Sequence, residues 1–354
     1  MDGGQLAIDL GEGSYCGGCP AAGACGEIGT ARACQPMYGD PRYGGTNVLH
    51  PARHDFGAYF AEVRGPAFDD VRALATPVLD LPLSTPRLRA KRDLRGLLYR
   101  PFYAVGPDQV IAGRRAVLSA DDLRDLVDLW SNQGLALTLF GSDPEMEELW
   151  SRRREIVSQI AEAGYDFVAP PSFSARPNHP PAEFLYNAKR SLIFFEMLQA
   201  EGVASAPRLA WLSDHDVTRA AKWCNGQEAV ELVTMDLAVK QPGEWANQLR
   251  LLRRFDDLTG RRLAFFIHGP AAESRLIELF SILGPRLRLT GSRAISRPRR
   301  SAADFVSFAE EEEAVAFRSL MAAGAGPAQG PERRNNLWRV PTVAAGSSQN
   351  ALAA

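Results

Sequence analysis

From Ser119 onward the chain alternates between amphipathic helical segments and short aliphatic or β-branched runs, and this alternation limits the fold more than any other feature. Strands that alternate with helices are joined by crossovers, which makes neighbouring strands parallel and covers them with the helices. The first helix opens at Ser119, a good N-cap, with Asp121 and Asp122 in its first turn, and runs to Gly134. An apolar strand follows over Leu135–Phe140. Asp143 caps the next helix, with Pro144 in the first turn; Leu149, Ile156 and Ile160 lie on one side, Arg152, Arg153 and Arg154 on the other, and Gly164 ends it.

The pattern recurs through strand Tyr165–Ala169 and helix Ala182–Gly202, strand Pro207–Leu212 and helix Asp214–Asn225, and strand Val230–Leu237 and helix Gly243–Thr259. Strand Leu263–His268 precedes helix Ala271–Leu283, and strand Leu287–Thr290 leads to helix Ala303–Ala322. Pro77–Leu81 and Tyr103–Ile111 supply two more strands. Eight strands predict an α/β fold of the (β/α)8 TIM-like barrel type, ahead of an open doubly wound sheet. No Gly-x-Gly-x-x-Gly or Walker pattern follows any strand, which argues against dinucleotide or phosphate-loop folds. The expected division is a cysteine-rich metal-binding extension over 1–60, the barrel over 61–323, and a disordered Gly/Ala/Pro/Ser/Asn-rich tail over 324–354.

Charge excludes some partners. The 354 residues carry 40 Lys+Arg against 42 Asp+Glu, a net −2, unlike a nucleic-acid coat or a polybasic membrane binder. No apolar run reaches the ~18 residues of a spanning helix. The opening Met-Asp-Gly-Gly-Gln lacks a secretory pattern, so a soluble cytoplasmic protein without membrane partners is expected.

Four of the five cysteines, Cys16, Cys19, Cys25 and Cys34, are spaced C-x2-C-x5-C-x8-C in a glycine-rich stretch. Glycine removes the Cβ clashes that oppose tight wrapping, and a two-residue gap lets neighbouring sulfurs grip one centre. Disulfides do not suit a chain without an export signal. A four-cysteine zinc site usually has two C-x2-C pairs, whereas irregular gaps and Pro20 directly after Cys19 fit an iron–sulfur loop. The expectation is a 4Fe–4S cluster on these four thiolates, with zinc as the alternative. The C-x3-C-x2-C pattern of radical enzymes is absent. The fifth, Cys224, closes a helical segment and reads as a core residue.

Barrel chemistry belongs at the C-terminal ends of the strands. The loop just past Ala169 contains five prolines up to Pro181, which stiffen it and hold Ser172, Ser174, Arg176, Asn178 and His179 at small entropic cost. In the following helix Asn187 and Arg190 are three apart and share a face. These seven residues are the candidate substrate ligands, although a rigid structural loop explains them equally well. Asp214, Asp236 and His268 end strands and are the candidate catalytic groups, since a carboxylate in an apolar mouth is desolvated toward a useful pKa. Asp214 also suits a helix N-cap, Asp236 less so, and His268 also suits a satisfied core position. His50 and His54 are four apart, but Pro51 between them argues against one helix through both.

The residues Ser172-Phe173-Ser174, Tyr186-Asn187-Ala188-Lys189-Arg190 and Trp211-Leu212-Ser213-Asp214 carry a resemblance. From about Pro171 to Gly269 the chain resembles a phage and bacterial family whose shared domain has no assigned function, with the pattern Asp-Phe-Ser, Trp-Asn-x-x-Arg and Trp-Gly-Asp. Here Ser172 stands in place of the first Asp, and one residue is inserted before Asp214. The resemblance implies barrel-like architecture and a mobile-element context, with the protein phage-encoded in a host cytoplasm; it supplies no reaction. In strand–helix layout the chain is also similar to transglycosylases that exchange guanine for a deazaguanine in tRNA or phage DNA. That similarity implies base exchange through strand-end carboxylates, which points to Asp214 and Asp236. The C-terminal zinc motif of those enzymes is missing here.

The resulting expectation is a phage-type barrel metalloprotein acting on a nucleobase or nucleic acid. Asn187 and Arg190 would orient the substrate, and the basic segments Pro86–Arg100 and Arg293–Arg300 would touch phosphates. The rival is a non-catalytic binding protein with a structural zinc or iron–sulfur module. Nothing in the sequence sets the oligomeric state.

Overall fold

The computed structural model describes residues 21, 24, 56–74, 81, 84–85, 87–88, 102–112, 116–126, 129, 131, 133–174, 181–237, 242–269 and 273–290. The four clustered cysteines, His50 and His54, Arg176, Asn178, His179, the helix expected over 303–322, the segment 293–300 and the tail from 324 lie outside them.

The fold is mixed α/β. A helix, α1 (Phe56–Glu62), precedes two short strands, β1 (Ser84–Thr85) and β2 (Arg87–Leu88), one residue apart. Next come β3 (Phe102–Val105), the helical turn α2 (Pro107–Val110), β4 (Ile111–Ala112), β5 (Ala116–Val117) and α3 (Ala120–Leu126). Then follow β6 (Gly134–Thr138), α4 (Asp143–Ser151), α5 (Arg153–Ala163), β7 (Phe167–Ala169), α6 (Pro181–Ala200) and α7 (Asp214–Asn225). The last elements are β8 (Leu232–Asp236), α8 (Pro242–Leu258), β9 (Ala264–His268), α9 (Glu273–Leu283) and β10 (Leu287–Thr290).

Two parallel sheets of four strands carry the fold, ordered β2-β3-β6-β7 and β1-β10-β9-β8, while β4 and β5 form a separate antiparallel pair. The segment after α6 joins the two sheets through parallel bridges Val168↔Ser205 and Arg208↔Thr234. On the far side β1 pairs with β10, and β2 pairs with β3.

Strand side chains alternate between two cores, as a period of two requires. Tyr103, Val105, Leu135, Leu137, Val168, Val233, Met235, Phe265 and Ile267 pack with the helices in the larger core. Phe102, Ala104, Ala136, Phe167, Ala169, Ala206, Leu232 and Phe266 form the smaller one, away from the helices. Gly134 is glycine because the Phe102 ring occupies the space a Cβ would need.

The structure corrects several boundaries. The first helix stops at Leu126, well short of Gly134, and Ser119 Oγ caps it by accepting from Asp122 N–H at 3.0 Å. Ser142, not Asp143, is the next N-cap, and the Glu145 carboxylate accepts from its N–H at 2.6 Å. The single helix expected up to Gly164 breaks at Arg152 (φ −107°, ψ 18°), and α5 ends on Gly164 in the left-handed conformation. Ser213 displaces Asp214 as cap of α7, because Asp216, three residues on, closes a capping box around it. The strand expected over Tyr103–Ile111 ends at Val105, where Pro107 opens a helical turn. Leu81, the described end of the strand expected over Pro77–Leu81, is not in a strand; Ser84–Thr85 is. Pro207 has no N–H to donate, so Pro207–Leu212 makes only a bridge: the Pro207 carbonyl accepts from Thr234 N–H, and Leu209 N–H donates to the Thr234 carbonyl. No helix among the described residues is long and apolar enough to cross a membrane.

Candidate active site

Parallel register brings the key side chains together. Asp236 at the end of β8 pairs with His268 at the end of β9, which pairs with Thr290 of β10, which pairs with Thr85 of β1. Register partners point to the same face, and these lie two or four residues beyond Leu232 and Phe266, on the face of the smaller core. The C-terminal strand ends therefore present a row of one carboxylate, one imidazole and two hydroxyls.

His268 Nδ1 lies 3.1 Å from Asp236 Oδ1, and Ser172 Oγ donates to Asp236 Oδ2 at 3.2 Å. Arg208 Nη2 donates in turn to Ser172 Oγ. Arg208 enters beside Thr234 and stacks over Phe140 at 5.1 Å, while the His268 ring lies 4.9 Å from that same ring. The side chains of Asp236 and His268 remain 28% and 15% exposed. Arg208 is 6% exposed, and burial pushes its guanidinium down to about 10, with Asp236 opposing the shift; it is charged at neutral pH.

Among the described residues, four polar groups here are buried without a hydrogen-bond partner: Arg208 Nη1 and the hydroxyls of Thr85, Thr234 and Thr290. Each unmet donor of this kind costs about 1–3 kcal/mol. Concentrated on the face of the smaller core, they mark a place where stability has been given up.

Three of the other expected residues, Ser174, Asn187 and Arg190, form a second, separate network. Arg190 is wholly buried; its Nη1 and Nη2 grip Glu147 at 2.6 and 2.9 Å, and Nη2 also donates to Asn187 Oδ1 at 2.5 Å. Asn187 Nδ2 donates to the Ser174 carbonyl at 2.8 Å, and Ser174 Oγ donates to Asp143. The guanidinium sits over Phe173 at 3.9 Å, Tyr186 at 4.7 Å and Trp150 at 5.6 Å. This network clamps residues 171–174 against α4 and α6, and none of its hydrogen bonds reaches Asp236 or His268. Asp214, at the surface, binds Arg250 Nη1 at 2.9 and 3.1 Å and Arg254 at 3.1 Å; the Arg250 hydrogen bond holds its carboxyl below the usual range. Of the expected residues, the structure joins Ser172, Asp236 and His268.

Sequence reasoning missed Phe140, Arg208, Thr234, Thr290 and Thr85. Arg208 had a visible signal: a lone charge among Ala206, Leu209 and Ala210 in a segment expected to be an apolar strand. Among the described residues no group of three or more His, Cys, Asp or Glu side chains is arranged to hold a metal ion.

No model of a known protein family matches the chain, and no curated protein matches it. Among solved structures it is similar to orotidine 5'-monophosphate decarboxylase from Methanocaldococcus jannaschii, with 11% identity, TM-score 0.36, and coverage of 65% of this chain and 98% of that one. It is also similar to a 4-hydroxy-2-oxoglutarate aldolase from TTHB1, with 16% identity, TM-score 0.34, and coverage of 66% and 93%.

Proposed function

We propose that the chain is a closed-barrel enzyme in which Asp236 and His268 form an acid–base pair. Register supports the closure. Stepping between partners from His268 to Thr290, Thr85, and onward through β3, β6, β7 and the 205–208 segment leads back to the β9 chain near Gly260, a displacement of eight residues. Eight strands with a shear of eight are the closure condition of a (β/α)8 barrel. The smaller core is then the barrel interior, and the Asp236 row lies at its C-terminal mouth.

The observation that carries the chemistry is the 3.1 Å contact between Asp236 Oδ1 and His268 Nδ1. A neutral imidazole bonded to a carboxylate through Nδ1 keeps its proton there and leaves the Nε2 lone pair free. His268 Nε2 then takes a proton from substrate as general base, and Asp236 stabilises the imidazolium that forms. Ser172 fixes the second carboxylate oxygen. Base exchange on a nucleobase or nucleic acid is the reaction we assign to this pair, on the strength of the resemblance to deazaguanine transglycosylases: the sugar bond to the departing base breaks as that to the incoming base forms, and the proton that His268 takes from the incoming base passes to the departing one. Cys16, Cys19, Cys25 and Cys34 supply a thiolate set suited to a 4Fe–4S cluster, which would add a redox-capable or structural centre.

The test is a mass-spectrometric screen of deazaguanine-type bases with tRNA and DNA. Wild-type protein should incorporate base, and Asp236→Asn and His268→Ala should lose turnover with melting temperatures nearly unchanged. Full activity in either variant removes that residue from the mechanism.

A further inference from the structure

We propose that the strand-end site seats an oxyanion, a carboxylate or phosphate group of its substrate, on the Arg208 guanidinium with the Thr234 hydroxyl as second donor. This deepens the active-site reading above and rests on it.

The seat is built from two neighbouring positions. Arg208 and Thr234 are bridge partners on adjacent segments, so both side chains rise from one level of the smaller core. Thr234 is fully buried and Arg208 nearly so, and Arg208 Nη1 and Thr234 Oγ1 both lack a hydrogen-bond partner. Among the described residues no carboxylate oxygen lies within ion-pair reach of Arg208. Its bonded acceptor among the described residues is the Ser172 hydroxyl, which relays to Asp236. A guanidinium is a fixed fork of donors that matches two oxygens of one oxyanion, and a hydroxyl beside it can satisfy a third lone pair. The Phe140 ring backs the fork at 5.1 Å.

The position also sets the size of the ligand. Because Ser172 ties Arg208 to the carboxylate that holds His268, the anionic group sits one hydrogen-bond relay from the acid–base pair. The reacting atom and the anion therefore belong to one compact portion of the substrate. Thr290 and Thr85, in register with His268, offer further unmet hydroxyls to its other polar atoms.

Isothermal titration of the full-length protein with sodium phosphate and, separately, sodium acetate against matched sodium chloride tests the seat. One-to-one saturable binding of either anion is expected. Phosphate alone identifies a phosphorylated substrate, acetate alone a carboxylic acid, and both fit the shared chemistry. Arg208→Met should weaken binding at least tenfold. Thr234→Val, which keeps the shape and removes only the hydroxyl, should weaken it about threefold, and Asp236→Asn should tighten it by removing a competing negative charge. If Arg208→Met does not fold, Arg208→Lys, which loses the fork, replaces it with the same expected direction. No saturable binding of either anion, or binding unchanged in both the Arg208 and Thr234 variants, overturns the proposal. His268→Ala should keep the anion and lose turnover; retained binding beside intact turnover leaves the seat standing and fails the acid–base reading instead.

Discussion

Two arginines, Arg190 and Arg208, are both taken out of water, and their surroundings differ in a way that separates building material from a working part. Arg190 has a bidentate carboxylate, an amide oxygen and three aromatic rings around it. Its Nε lacks an acceptor but is covered by those rings. Among the described residues Arg208 has one ring, one hydroxyl and no directly bonded carboxylate, and it stands among other unmet donors. A buried charge whose counter-charge is bonded to it is a structural unit; one that reaches its nearest described carboxylate, Asp236, only through a hydroxyl keeps donor positions for a ligand.

The largest expected effect is at the first of these. Arg190→Met should cost about 3 kcal/mol in urea unfolding, because it leaves Glu147 unpaired beside an apolar box and unties Asn187. A loss under 1 kcal/mol would break the distinction. Asn187→Leu, which frees only the Ser174 carbonyl and the Arg190 amide contact, should cost about 1–2 kcal/mol. Arg208→Met removes an unsatisfied charge and should change stability by less than about 1 kcal/mol, or raise it, while abolishing turnover.

Asp214→Asn should move stability by no more than about 0.5 kcal/mol, since its ion pairs are exposed and screened by salt. Its folded carboxyl is held low by Arg250, so what it contributes is present above the unfolded carboxyl pKa and fades as pH falls through the lower folded value. A salt-dependent acid limb that disappears in the variant is the readout. Smallest of all, Cys224 should resist alkylation at pH 8 in the folded protein, because burial pushes its thiol up to about 12. Thiol labelling of native protein then reports on the four early cysteines alone, and an absorbance band near ~400 nm after anaerobic purification identifies iron–sulfur rather than zinc.

The alternation of strands and helices was legible because helix periodicity and apolar runs are local signals, and α7 was bounded to the residue. What was hidden depended on distance in sequence. Asp236 and His268 could be named as strand-end residues, but that they touch follows from β8–β9 register, which no local pattern encodes. Arg190 and Asn187 were read as a pair, which they are. Their common partners, Glu147 and the Ser174 carbonyl, turn the pair inward. Arg208 was passed over because a single charge in a proline-started segment resembles an edge residue until Thr234 is seen beside it.

The single residue between β1 and β2 has a consequence for how the molecule is made. Thr85 is gripped on one side by Thr290 and, two positions on, Arg87 is gripped on the other by Ala104. The first of these contacts joins points roughly two hundred residues apart, so it waits until Thr290 has left the ribosome. Among the described strands that short stretch is therefore sewn late in synthesis, and the growing chain carries an open edge there until then.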